Sequence, residues 1–224
     1  MTAFNLVTPP AVEPVLLMDA KQQARIDTTA DDALVTSLIT AARQWVENYI
    51  GRALITQTWQ MTFDTWPVAS LPFWDGEREG PVTAFQNPGY VLLPRPPLLA
   101  VNSITYYDNS DNATVWDPSN YFVDTVHAPG RVCLRLGAVW PVPMRLTNGI
   151  VIQYTAGYGS DGTYVPEAIK AAIRQIVTHW YEHRGEAATN TSRGSMAPGS
   201  AGGFNVPLII YGLLMPYRVA SLGA

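Results

Sequence analysis

The order of hydrophobic periods along the chain constrains the fold more than any other feature. A helical front is followed by an aromatic β-rich middle dense in Gly and Pro, and then by a helical back. In the front, Leu34, Leu38, Ala41, Trp45 and Tyr49 recur at a spacing of three to four and form one apolar stripe. Val35, Ile39, Ala42, Val46 and Ile50 form a second stripe beside it. Thr29–Asp32 offers an N-cap and first-turn carboxylates, which the helix dipole favours, and Gly51 is the C-terminal stop. Two adjacent stripes cover most of the helix circumference. One is therefore expected to pack within its own domain and the other, with Val35, Ile39, Arg43, Val46 and Ile50, against a neighbouring subunit. A shorter helix is predicted from Met18 to Ile26, with no clear cap at its start.

From Ile55 to Tyr154 the period changes to two. Strands are predicted over Thr56–Phe63, Val101–Tyr107, Tyr121–Asp124, Arg131–Leu136 and Gly149–Tyr154, together one antiparallel sheet. The polar run Asp108–Asn112 closes a hairpin, and Ala69–Gly89 reads as a long loop or projecting flap. Pro166 then opens a helix whose buried face is Ile169, Ile173, Ile176 and Trp180, and His183, Arg184 and Gly185 end it. The expected class is α+β: a small helical bundle carrying an antiparallel β-rich insertion between its second and later helices. The expected boundaries are an extended arm over 1–14, the bundle over 15–54 and 160–184, and the insertion over 55–159. A Gly/Ser-rich flexible linker follows over 185–203, and a C-terminal docking segment over 204–224.

That last segment is too apolar to stay in water. It either docks on a partner through Phe204, Val206, Leu208, Ile209, Ile210, Tyr211, Leu213, Leu214, Tyr217 and Arg218, or folds back on its own bundle. Charged residues make up 14% of the chain, well below the usual ~25%, so much of the surface is expected to be covered. Seven Trp point either to buried contacts between proteins or to a large aromatic core. The net charge of −4, with Arg and Lys scattered singly, argues against a protein that grips nucleic-acid phosphates; DNA contact would be loose passage. The lone Cys133 suits a strand position as a small hydrophobe. The start lacks a signal-peptide pattern and no apolar run reaches the ~20 residues of a membrane span. A soluble protein made in a reducing cytoplasm is expected.

Catalytic constellations are sparse. His179 and His183 stand four apart on a helix, a metal-compatible spacing, but lack a third ligand. Asp108 and Asp111 lack the Gly and closing Glu of a calcium loop. Gly157–Gly159 and Gly199–Gly203 lack the strand and Gly-Lys context of a phosphate loop. Glu77 and Glu79 are most simply solvated. No catalytic, cofactor or metal residue is assigned, and no enzyme activity is expected. A carbohydrate- or surface-binding module is the alternative, motivated by Trp74, Trp116 and Tyr90 in predicted loops.

The succession of these motifs resembles a known family, the head–tail connector (adaptor) proteins of long-tailed bacteriophages and gene transfer agents. The matching elements are Asp32–Arg43 running into Gly51–Trp59, the Leu93–Leu98 segment (Leu-Pro-Arg-Pro-Pro-Leu) and the strand over Val101–Tyr107. Tyr154–Gly159, Val165-Pro166, Trp180–Arg184 and Leu213–Arg218 complete the series. The resemblance implies a ring, commonly of twelve subunits, docked under the portal protein at the virion neck. Such a ring meets the stopper and tail below and lets DNA through its lumen. It makes the C-terminal residues above the expected portal contact.

Overall fold

The computed structural model describes residues 2–66, 89–143, 145–183 and 206–219. The chain forms an α+β fold of two compact units: Met1–Ala11 with Thr56–Gly157, and Val12–Ile55 with Tyr158–Ala224. The predicted linker over 185–203, residue Phe204, and the flap apart from Gly89 lie outside the described residues.

The first unit is built from antiparallel strands. A five-stranded sheet runs in the order β1 (Thr2–Thr8), β2 (Gln57–Phe63), β8 (Ile150–Ala156), β4 (Leu98–Tyr107), β5 (Ala113–Val115). A three-stranded sheet has the order β3 (Tyr90–Leu93), β7 (Gly130–Leu134), β6 (Tyr121–Asp124). The central strand β8 shows why a period of two makes a sheet: Ile150, Ile152, Tyr154 and Ala156 all point inward and are fully buried. The Tyr154 hydroxyl donates to the Pro94 carbonyl at 2.9 Å, so a buried phenol keeps a partner. An added Cβ at Gly130 would collide with the Leu98 side chain, so glycine there permits the small sheet to approach β4 closely. Trp66, Trp116 and Trp140 form one buried aromatic cluster, with Trp66 and Trp140 stacked at 4.2 Å between ring centres.

Two expectations change here. The arm is a strand over its first part, pairing antiparallel with β2 from Thr2↔Phe63 onward. Pro9, Pro10 and Pro14 remove only their own amides and leave Thr2–Thr8 free to pair. The single predicted sheet is two sheets: Tyr121–Asp124 and Gly130–Leu134 pair with Tyr90–Leu93, a strand the sequence reading did not find.

The second unit holds four helices: α1 (Leu17–Ala24), α2 (Asp32–Ile50), α3 (Glu167–Glu182) and α4 (Leu208–Leu214). Helix α1 ends two residues before its predicted limit because Arg25 turns left-handed, at φ 55°. Helix α2 stops at Gly51, whose φ of 71° suits a residue without Cβ. Its leading acids serve other helices: the Tyr181 hydroxyl donates to Asp31, and Lys21 pairs with Asp32 at 2.6 Å. Among the core residues are Val35, Ile39, Val46 and Ile50 of α2, Ile169, Ile173 and Ile176 of α3, and Ile210 and Leu214 of α4.

Candidate assembly surface

One helix decides which side of the helical unit is free. Of the two apolar stripes on α2, the one through Val35, Ile39, Ala42, Val46 and Ile50 is wholly inside the unit. This corrects the expectation that Val35, Ile39, Arg43, Val46 and Ile50 form a subunit interface. The reason is local to the unit, where α1 and α3 pack on α2 and take that face.

Arg43 is buried as well, and its environment accounts for it. Its Nε donates to Glu13 Oε2 at 2.8 Å and its Nη1 to Glu47 Oε2 at 2.8 Å. The remaining carboxylate oxygens are also served: Thr40 Oγ1 donates to Glu13 Oε1 at 2.9 Å, and the Leu54 amide to Glu47 Oε1 at 2.9 Å. A guanidinium between two carboxylates, with every carboxylate oxygen accepting a hydrogen bond, is a buried charge cluster that is fully paired. It ties the residues before α1, the middle of α2 and the chain leaving α2 into one body.

The other α2 stripe faces outward. Leu34 is exposed, and Leu38, Trp45 and Tyr49 are half-buried. Trp45 and Tyr49 lie parallel at 5.4 Å, and Tyr211 of α4 meets both edge-on, at 5.8 and 5.2 Å. Residues three and four apart share a helix face, so Leu208 and Met215 lie on the Tyr211 side. They are 86% and 68% exposed. The Arg218 guanidinium lies 5.4 Å from the centre of the Tyr49 ring, a cation–π contact. Arg52 Nε donates to the Tyr217 carbonyl at 2.6 Å and ties this end of α2 to the chain after α4. Burial pushes the neighbouring Tyr158 phenol above its ordinary range, against the pull of Arg52. The result is an apolar strip with aromatic rings at its centre and arginines at one end, the composition typical of protein–protein contacts.

The C-terminal segment holds both kinds of residue. Val206, Ile210 and Leu214 are buried in the helical core, and the Val219 amide donates to the Ile50 carbonyl at 2.8 Å. Of the two readings open in the sequence, this segment takes the fold-back, which corrects its assignment as a free docking tail. A seven-residue helix that presents Ile210 and Leu214 inward gains more by completing its own core than by waiting for a partner. Among the other residues expected to dock, Leu208, Ile209 and Arg218 are exposed, and Tyr211, Leu213 and Tyr217 are half-buried. The sequence signal for the strip lay in Trp45 and Tyr49, which belong to the stripe assigned inward.

Other candidates fall elsewhere. Trp116 is buried between Trp66, Trp140 and Tyr121, so it offers no sugar platform. Trp74, Glu77 and Glu79 lie outside the described residues. The His179 and His183 rings sit 4.3 Å apart at the end of α3, and His183 Nδ1 is 2.8 Å from the His179 carbonyl oxygen. Among the described residues no three His, Cys, Asp or Glu side chains stand together as a metal site would require. No described helix is long and apolar enough to cross a membrane.

Comparison with curated protein sequences gave no match. Among solved structures, a chain from the neck of an empty gene transfer agent particle computed with C6 symmetry superposes with a TM-score of 0.69 at 20% identity. That match covers 99% of this chain and 98% of the other. A chain from the virion of a native gene transfer agent particle gives 0.64 at 19% identity. One from the neck of a native particle computed with C12 symmetry gives 0.62 at 19%; both have the same coverage as the first. At these identities the likeness is one of fold. The model of the head completion protein family matches residues 17–220, nearly the whole sequence, and the chain belongs to that family.

Proposed function

We propose that this protein is a structural subunit of the neck of a tailed phage or phage-like particle and carries out no chemical reaction. Copies form a ring, commonly of twelve in the connectors it resembles, beneath the portal protein. The ring joins the capsid to the stopper and tail and leaves a lumen through which DNA passes. The observation that carries this reading is the head completion family match over residues 17–220. Chains of the same fold come from the necks of gene transfer agent particles.

The surface chemistry supports it. A lone subunit leaves Leu34, Trp45, Tyr49, Leu208, Tyr211 and Met215 partly or largely in water, and contiguous apolar strips of this kind mark contact sites. A net charge of −4 suits a wall past which DNA slides, because a phosphate-binding surface would carry clustered Lys and Arg. Electron microscopy of particles carrying a labelled version of the chain tests the reading. Density for the label in a ring at the head–tail junction is the expected result, and label confined to the capsid shell or tail tip would refute it.

A further inference from the structure

The first unit carries an exposed apolar surface of its own, on the described residues 135–143 and 145–149 between β7 and β8. Leu136 is fully exposed, and Val139, Val142 and Leu146 are 81%, 77% and 92% exposed. Connecting segments are normally polar at such positions. This one is also held in place. Trp140 is buried against Trp66 and Trp116, and Trp66 Nε1 donates to the Pro141 carbonyl at 2.7 Å. The Arg135 amide donates to the Asn120 carbonyl, and the Asn148 amide to Asp64 Oδ1 at 2.9 Å. A fixed backbone with aliphatic side chains directed outward loses little entropy when a partner covers it.

Its surroundings are acidic. Asp64 holds Asn148, Asp111 pairs with Arg145 at 3.4 Å, and Asp108 anchors the adjoining β4–β5 turn. Asp117 caps the short 3-10 turn whose Asn120 receives the Arg135 amide. The Asp64 charge is already met locally; against the other three carboxylates stand Arg135 and Arg145. The α2–α4 strip has the opposite character. Over residues 44–52 and 206–219 the charged side chains are Glu47, turned inward onto Arg43, the half-buried Arg52, whose Nε is held by the Tyr217 carbonyl, and the exposed Arg218.

We propose that the 135–149 segment of one copy docks on the α2–α4 strip of the next copy, apolar side chains meeting the aromatic rings and the acidic rim meeting Arg52 and Arg218. This rests on the neck-ring reading. A closed ring needs a heterologous contact made of two different, complementary patches on every copy, and these two differ in composition, one aliphatic and one aromatic, and are opposite in charge. Complementary charges also fix the register of such a contact and suppress wrong pairings.

The test places a photo-crosslinking benzoylphenylalanine at Leu146 of the full-length chain, in assembled particles, and maps the product by mass spectrometry. The expected product joins two copies, with the second peptide within 45–52 or 206–219. Arg218→Glu in the same chain should lower its yield several-fold. A product within one chain, one to another protein or another segment, or no product from particles that contain the chain would overturn the proposal. A label absent from the neck defeats the neck reading itself. A label at the neck with crosslinks elsewhere defeats this contact alone.

Discussion

Replacing Arg43 by Met tests whether the charge cluster inside the helical unit holds that unit together. Arg43 and Glu47 are both nearly inaccessible, and Glu13 is about a quarter exposed at its side chain. Met keeps most of the apolar stem but withdraws both guanidinium bonds, leaving two carboxylates facing each other across the gap. Breaking a buried pair by removing one partner costs about 3–5 kcal/mol. That is a large part of the ~5–15 kcal/mol by which a domain is stable. Most of that penalty comes from the carboxylate charges left without their guanidinium, so Arg43→Met with Glu47→Gln and Glu13→Gln, which keeps an acceptor for the Leu54 amide, should recover most of the loss. Urea denaturation followed by circular dichroism at 222 nm is the assay, because the described α-helices all lie in this unit. A loss under about 1 kcal/mol for Arg43→Met, or a triple variant as unstable as the summed single changes, would refute the reasoning.

Three further outcomes follow from the same packing. Ile210→Ala should cost about 2–5 kcal/mol in the same 222 nm transition, since the side chain is fully buried; an unchanged midpoint would show that α4 is not part of the core. Removing residues 206–219 should destroy the cooperative helical transition, whereas a truncated chain with native-like melting would return the segment to the role of a free tail. The Asn112 side chain and backbone amides hold the Asp108 carboxyl below its usual range. A depressed folded value means that its contribution is present above the unfolded value near pH 3.9 and is lost as pH falls through the folded one. The Ser110 and Asn112 amide resonances should therefore titrate below the ordinary carboxylate range, and a midpoint at or above it would contradict the turn geometry.

Much of the fold is written in local patterns. Helix α2 is marked by its apolar spacing and by Gly51, α3 by Pro166 and the residues from His183, and the β4–β5 turn by Asp108–Asn112. Strands β1 and β3 were not legible: one is crowded by prolines, and the other follows a long Gly- and Pro-rich run. The direction of α2 was not legible either, because its two stripes are about equally apolar. What decides between them is non-local. Glu13 reaches Arg43 from thirty residues away, and Tyr217 reaches Arg52 from 165 residues away. The same long-range contacts decide that α4 folds back, which composition alone leaves open.

Under the proposed function α2 and α4 are two-sided, with one face for folding and the other for assembly. Leu208→Asp combined with Met215→Asp separates the two most directly, because both side chains are largely exposed. The variant should melt within about 0.5 kcal/mol per substitution of the native protein and fail to enter particle necks in a complementation experiment. Incorporation at the native level, with the helical unit intact, would contradict the assignment of that face to assembly.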